Sequence, residues 1–183
     1  GDTIYSKLKL TAKERSGFEI KNLTADVKMT PQAMAFSNMD LITNQSTIRN
    51  SFIMSYNDMS DMGDFIHKVK MTANFDGSYI DSDDIAFFAP AMKSWKKRIT
   101  LKGKVRGTVD DIVGREMLVQ AGNSTLLSGD ITLTGLPDIN ETFIDFKAND
   151  FKTTYADAVA IVPALRRVTN PDLRKVQYVN FKG

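Results

Sequence analysis

An internal repeat restricts the possible folds of this chain more than any other feature of its sequence. Residues 78–92 and 152–165 share one pattern, in which an Asp precedes an apolar run and a Pro follows that Asp by six residues. Asp84 in the first copy matches Asp157 in the second, at a shift of 73. A pattern that recurs at this spacing is typical of proteins built from stacked structural units.

The repeat extends upstream with a changing shift. Residues 44–48 resemble residues 122–126 at a shift of 78, and residues 52–54 match residues 131–133 at a shift of 79. Because the shift then falls to 73, the first copy contains extra residues, which we place around residues 58–67.

A third copy begins near the end of the chain, where residues 179–183 resemble residues 99–103 at a shift of 80. The sequence therefore predicts one repeat-built domain with units at residues 1–98 and 99–176 and a third unit beginning near residue 177. A repeat that stops part-way leads us to expect that the chain is a fragment of a longer protein.

Each Asp–Pro pattern predicts one short helix, over residues 84–92 and 157–165. A carboxylate is favourable at a helix N-terminus, and Pro ends or kinks a helix because it lacks an N–H donor. We expect Ser82 or Asp83 to cap the first helix. On a helix, Ile85, Phe88 and Met92 share one face that must be covered.

Alternation of apolar and polar residues predicts about a dozen short strands in the rest of the chain. They are residues 4–10, 18–20, 25–29, 33–37, 39–43, 47–56, 69–75, 99–106, 117–121, 125–134, 144–149 and 176–181. Asn50 interrupts one strand where the second copy has Gly129, and both residue types tolerate positive φ, so we expect a β-bulge there. The chain is predicted to be mainly β: a curved antiparallel sheet of repeated β-units with two short helices.

The apolar members of these strands can share one face of the sheet. A single sheet cannot leave such a face in water, so it must curl on itself, pack on a second sheet or hold an apolar ligand. The predicted lining residues of this face are Phe52, Met54, Val69, Met71, Phe75, Ile99, Leu101, Val105, Ile131, Leu133, Ile144 and Phe146.

Composition excludes several classes of function. Cys is absent and His67 is the single histidine, which excludes thiolate and multi-histidine metal sites. We expect His67 to be a surface or linker residue. The acidic run from Asp81 to Asp84 lacks the spacing of a calcium loop. A net charge of +2 gives little attraction to nucleic acid. We therefore expect no enzyme activity, no catalytic residues, no metal and no cofactor.

One stretch resembles a known family. Residues 100–112 read TLKGKVRGTVDDI and lead into GNST at residues 122–125 and LSGDITLTGLPD at residues 127–138. This pattern resembles the AsmA-like superfamily, in particular TamB-type translocation and assembly proteins in their Bacteroidetes form. The resemblance covers residues 56–183 and extends more loosely over the first fifty.

The resemblance implies a β-taco, also called a repeating β-groove, with an apolar interior. It further implies a periplasmic location, in a protein anchored to the inner membrane, with the anchor present only at full length. The implied roles are phospholipid transport and outer-membrane biogenesis. Expected partners are phospholipid or another acyl-chain lipid and outer-membrane assembly proteins, and not nucleic acid.

Two functions remain open from the residues themselves. The apolar face is either a groove for lipid chains or the packed core of a secreted structural or adhesion β-repeat with a protein partner. The sequence after both helices contains basic residues, in Trp95-Lys96-Lys97-Arg98 and in Arg166-Arg167, which either touch acidic headgroups or nucleic acid or lie in solvated loops.

Overall fold

The structure is a computed structural model that describes residues 2–94, 96–122, 124–138, 141–161, 163–170 and 172–182. Trp95, Asn123 and Gly183, which belong to the sequence patterns above, lie outside the described residues. The strands are β1 (Ile4–Lys13), β2 (Glu19–Thr30), β3 (Ala33–Ile42), β4 (Thr47–Ser55), β5 (Lys70–Asp81), β6 (Arg98–Gly107), β7 (Asp111–Ala121), β8 (Thr125–Thr134), β9 (Phe143–Thr154) and β10 (Tyr178–Lys182). The α-helices are α1 (Phe65–Lys68), α2 (Ser82–Ile85) and α3 (Tyr155–Ile161). Four 3₁₀ segments accompany them: Met59–Asp64, Pro90–Ser94, Pro163–Arg167 and Leu173–Lys175.

All ten strands form one antiparallel sheet in which each strand pairs with its neighbours in the sequence. Among the described residues β1 pairs only with β2 and β10 only with β9, so the sheet is open at both edges. The prediction of a mainly β, antiparallel fold is confirmed. The strands are fewer and longer than predicted, and α1 adds a third helix to the segment in which the sequence analysis placed the extra residues of the first copy.

Bulges explain why the sequence pattern divided single strands into two. In β3, Phe36 pairs with Phe52 and Met39 pairs with Asn50, so β3 has one residue more than β4 in this interval. The extra residue shifts the phase of the alternation by one, while Phe36 and Met39 stay on the same face. One residue inserted in β2 relative to β1, between Ile20 and Leu23, likewise separates residues 18–20 from residues 25–29. One residue inserted in β7 relative to β8 precedes residues 117–121.

The bulges follow a regular order across the sheet. The even-numbered strands β4, β6 and β8 have Asn50, Gly103 and Gly129 at positive φ, of 97°, 130° and 148°. Each lies at a register shift, as predicted for Asn50 and its equivalent Gly129, although the extra residue at each shift belongs to the odd-numbered partner strand, β5, β7 or β9. Bulges bend a strand and increase its twist. The row of register shifts at Asn50, Gly103 and Gly129, here called the crease, therefore bends the sheet at mid-strand.

The two helices are both shorter than the predicted residues 84–92 and 157–165. Helix α2 spans only Ser82–Ile85 and ends five residues before Pro90, where a 3₁₀ segment begins, and α3 begins at Tyr155, two residues before Asp157, and ends at Ile161. The cap of α2 is Asp81, which accepts a hydrogen bond from the Asp83 backbone N–H at 3.0 Å, and not Ser82 or Asp83.

The early end of α2 also changes which side chains are covered. Because the helical period does not continue past Ile85, Phe88 is 68% exposed, whereas Ala89 and Met92 are buried at 6% and 3%. The expectation that Phe88 and Met92 share a covered face is therefore wrong. Phe87 and Phe88 instead make edge-on ring contacts with Phe18, with centroids 5.4 and 5.3 Å apart.

The connection between β4 and β5 explains the change in repeat shift. It contains 14 residues, 56–69, whereas the equivalent connection between β8 and β9 contains eight, 135–142. The difference of six residues equals the fall from 79 to 73, and the longer connection contains the 3₁₀ segment Met59–Asp64 and α1.

The crease depends on glycine at the positions where the backbones of neighbouring strands approach each other most closely. A Cβ added to Gly129 would lie 2.1 Å from the Lys147 carbonyl oxygen, at a φ that L-residues rarely adopt. We expect Gly129→Ala to reduce the free energy of unfolding by about 2 kcal/mol or more, measured by urea denaturation.

Gly63→Ala is the matched control, since a Cβ at Gly63 meets nothing within 4 Å. Equal unfolding midpoints for the two variants would show that the crease does not need glycine.

Candidate functional site

The register places the predicted lining residues on one surface of the sheet, here called the apolar face. In an antiparallel pair, residues opposite each other point to the same side. One row of partners therefore runs from Phe36 through Phe52, Ala73, Val105 and Gly114 to Ile131 and Phe146. The adjacent row runs from Met34 through Met54, Met71, Gly107 and Ile112 to Leu133 and Ile144.

The remaining predicted residues lie at or beyond the crease, with one exception. Phe75 is opposite Gly103 at the crease, Leu101 is opposite Val119, and Ile99 is opposite Ala121. Val69 precedes β5, donates its backbone N–H to the carbonyl oxygen of Phe65, the first residue of α1, and is 0% exposed. Val69 thus presents no surface to a ligand, whereas the other eleven residues lie together on the apolar face.

The apolar face is only partly covered. Ile144 is 56% exposed, and the other ten predicted residues on this face are half-buried. The hydrophobic residues that are buried on the sheet are small or lie beside a bulge, and they are Ala25, Met39, Ala73, Met117 and Ala121. In a sandwich, a second sheet would exclude water from the large side chains as well.

The opposite face is charged. Lys70, Lys102, Lys104, Asp145 and Lys147 are all exposed. Several charges pair across strands, as in Lys104 with Glu116 at 3.1 Å and Lys102 with Asp76 at 3.4 Å. Exposed pairs of this kind contribute little stability. The charged side chains keep this face in contact with water, which leaves the apolar face as the candidate site.

Asp84 fastens the α2 segment to the turn between β3 and β4. Its Oδ2 accepts hydrogen bonds from the hydroxyls of Thr43 and Ser46 and from the Gln45 backbone N–H at 3.0 Å. Asp84, Thr43 and Ser46 are 5%, 5% and 3% exposed. A buried carboxylate that accepts three hydrogen bonds is a strong tether, because each bond is charge-assisted.

Asp157 repeats this arrangement in the second unit. Its Oδ2 accepts from the Ser124 backbone N–H at 3.0 Å, in the turn between β7 and β8, and its Oδ1 pairs with Lys97 Nζ at 2.9 Å. The Lys97 backbone N–H in turn donates to the Ser82 hydroxyl at the start of α2. Lys97 therefore links the helical segments of the two units.

The sequence contains a signal for both tethers, because the matched aspartates recur together with the matched turns at residues 44–48 and 122–126. From the sequence alone, each aspartate is predicted only as a helix start. The aspartates and turns recur together because each aspartate binds the turn of its own unit.

Other features of the described residues add no second site. No three His, Asp or Glu side chains within the described ranges are grouped so that they could hold a metal ion. His67 is exposed, as predicted, and pairs with Asp64. None of the helices that the structure describes is long and apolar enough to cross a bilayer.

Comparison with known proteins gave no relative. No family model, no curated protein and no solved structure matches this chain.

The tether at Asp84 can be tested by truncation. Asp84→Ala leaves two hydroxyls and one N–H buried without their acceptor, so we expect a loss of about 3 kcal/mol in the free energy of unfolding. The control is Asp83→Ala, which removes only an exposed pair with Lys96 and should cost less than about 1 kcal/mol. Similar losses in both variants would contradict the tether.

His67 provides a test of the α1 segment by pH. The hydrogen bond to Asp64 and the charge of that carboxylate raise the pKa of His67 above its ordinary 6.5. The pair therefore stabilises α1 below pH 6.5, and this contribution is lost as the pH rises through the raised pKa. We expect a titration midpoint above 6.5 for the ring protons of His67 by NMR.

In Asp64→Asn the midpoint should move down toward 6.5, because the negative partner is gone. An unchanged midpoint would show that Asp64 does not pair with His67 in solution.

Proposed function

We propose that this chain is a non-enzymatic segment of an AsmA/TamB-like protein whose apolar face binds phospholipid acyl chains. The observation that supports this proposal is the continuity of the apolar face, whose rows of cross-strand partners pass through nine strands while their large side chains stay partly exposed.

The chemistry of the face suits acyl chains. Each CH₂ group removed from water contributes about 0.8 kcal/mol, so a chain that covers part of one row gains several kcal/mol. Met34, Met54 and Met71 are consecutive partners in one row, and Met side chains adapt to flexible ligands without needing a polar partner.

The alternative of a secreted structural or adhesion repeat with a packed core is less well supported. Such a core requires a second layer over the large apolar side chains, and Phe52, Val105 and Ile131 remain half-buried among the described residues. A binding face for a protein partner stays as an outcome of the test below.

Location and partners follow from the same proposal. We place the segment in the periplasm, within a longer protein anchored to the inner membrane, where it would serve phospholipid transport and outer-membrane biogenesis. Outer-membrane assembly proteins are the second class of partner. The sequence resemblance supports these points.

Photocrosslinking tests the proposal on adjacent residues of opposite faces. A photoreactive amino acid at Phe146 lies on the apolar face, and one at Lys147 lies on the charged face. With phosphatidylglycerol vesicles we expect lipid adducts at position 146 and none at position 147, detected by mass spectrometry of the protein.

Met71 and Lys70 supply a second matched pair on β5. Equal capture on both faces, or none on the apolar face of folded protein, would reject the lipid groove, and adducts to protein alone would favour the adhesion repeat.

A further inference from the structure

The two ends of the sheet carry opposite charge. Because successive strands are antiparallel, the connections alternate between the ends. One end, here called the basic end, consists of the described residues within 14–18, 43–46, 82–97, 122–124 and 155–177. The other, here called the acidic end, consists of the described residues within 31–32, 56–69, 108–110 and 135–142.

The charges at the two ends differ strongly. The basic end has eight Lys and Arg against five Asp and Glu, a net charge of +3. The acidic end has one Lys against six Asp and Glu, a net charge of −5 with His67 neutral. The whole chain is only +2, so the asymmetry is invisible in the composition.

Four of the five acids of the basic end are neutralised or held within the protein. Asp84 is held by the turn between β3 and β4, and Asp157 pairs with Lys97. Asp83 pairs with Lys96 at 2.6 Å, and Asp172 pairs with Arg174 at 2.8 Å. By contrast Lys93, Arg166, Arg167 and Lys175 are exposed, and none has an ion-pair partner among the residues with described positions. The charge offered to a ligand at this end is therefore positive.

A recess is present at the same end. It has a volume of about 370 Å³ and lies between the Asn44–Gln45 turn and the α2 segment, with Lys93 and Lys96 and the carboxylates of Asp83 and Asp84 on its wall. Asp84 is held by the turn and Asp83 pairs with Lys96. Lys93, which has no ion-pair partner among the described residues, therefore supplies the ammonium donor that suits phosphate oxygens.

We propose that a phospholipid binds with its phosphate at the basic end and its acyl chains along the strands of the apolar face. This proposal deepens the lipid-groove function and depends on it. The acidic end repels the phosphate, so the charge asymmetry gives the lipid one orientation.

The dimensions agree with this orientation. One leaflet of a bilayer is about 15 Å of hydrocarbon, and a strand advances about 3.4 Å per residue. A chain that starts at the basic end therefore reaches the crease, passing the rows that contain Ile99 and Leu101.

Charge reversal at the basic end tests the orientation in the full chain. The test variant is Arg166→Glu with Arg167→Glu, and the control is Lys147→Glu with Lys152→Glu, which makes the same change in net charge on exposed residues of β9. Capture of phosphatidylglycerol by a photoreactive group at Leu101 is measured for both, with diacylglycerol as the probe that lacks phosphate.

We expect the Arg166/Arg167 variant to capture phosphatidylglycerol about tenfold less and diacylglycerol equally well, with little loss of either in the control. Equal losses of phosphatidylglycerol capture in both variants, or no loss in either, would overturn the orientation. Retained capture of diacylglycerol in the same variants would still support the groove. Absence of diacylglycerol capture by the unmodified chain would instead reject the groove itself.

Discussion

This structure depends on one constraint: the apolar side chains of each strand must point to the same face of the sheet before and after a bulge. A strand shifted by one residue would turn its whole apolar set to the charged face. Eight of the nine strand pairs contain such a shift, yet residues such as Phe36 and Met39, or Gly114 and Met117, remain on the same face on either side of it. One extra residue is inserted in one partner, so the shift bends the sheet and preserves its two chemically distinct faces.

A sheet with this arrangement has few ways to stabilise itself. Without a second layer the large apolar side chains contribute only part of their hydrophobic free energy, and the ladders between neighbours supply most of the order. The buried polar tethers add to this at the basic end. Asp84 and Asp157 hold the helical segments against hairpin turns, and Lys97 connects one unit to the next. The units are joined by the continuous sheet and by this ion pair.

The same features that limit stability make the surface suitable for a ligand. The apolar face is partly exposed and lies between a basic end and an acidic end. It therefore offers apolar surface together with charges of opposite sign at its two ends. The crease separates the face into a half near each end, so a ligand with one charged terminus and one apolar chain can fill one half without spanning the strand. A packed core offers no such surface, and a uniformly charged rim would leave the orientation of the ligand undetermined.

Sequence and tertiary structure determined different parts of this protein. Alternation of period two and the repeated Asp–Pro pattern were sufficient to predict a mainly β antiparallel chain and the equivalence of Asn50 and Gly129. They also predicted eleven of the twelve residues on the apolar face. All three features depend on local geometry, which the sequence pattern reflects directly. The continuity of β2, β3 and β7 was not predictable, since each bulge reverses the phase of the alternation and only pairing with a neighbour shows that the strand continues. The complete burial of Val69 and the exposure of Phe88 depend on where the short helices begin and end. The tethers join Asp84 to residues about forty positions earlier, and a contact at that distance in the chain exists only after the sheet has brought the turn and the helix together.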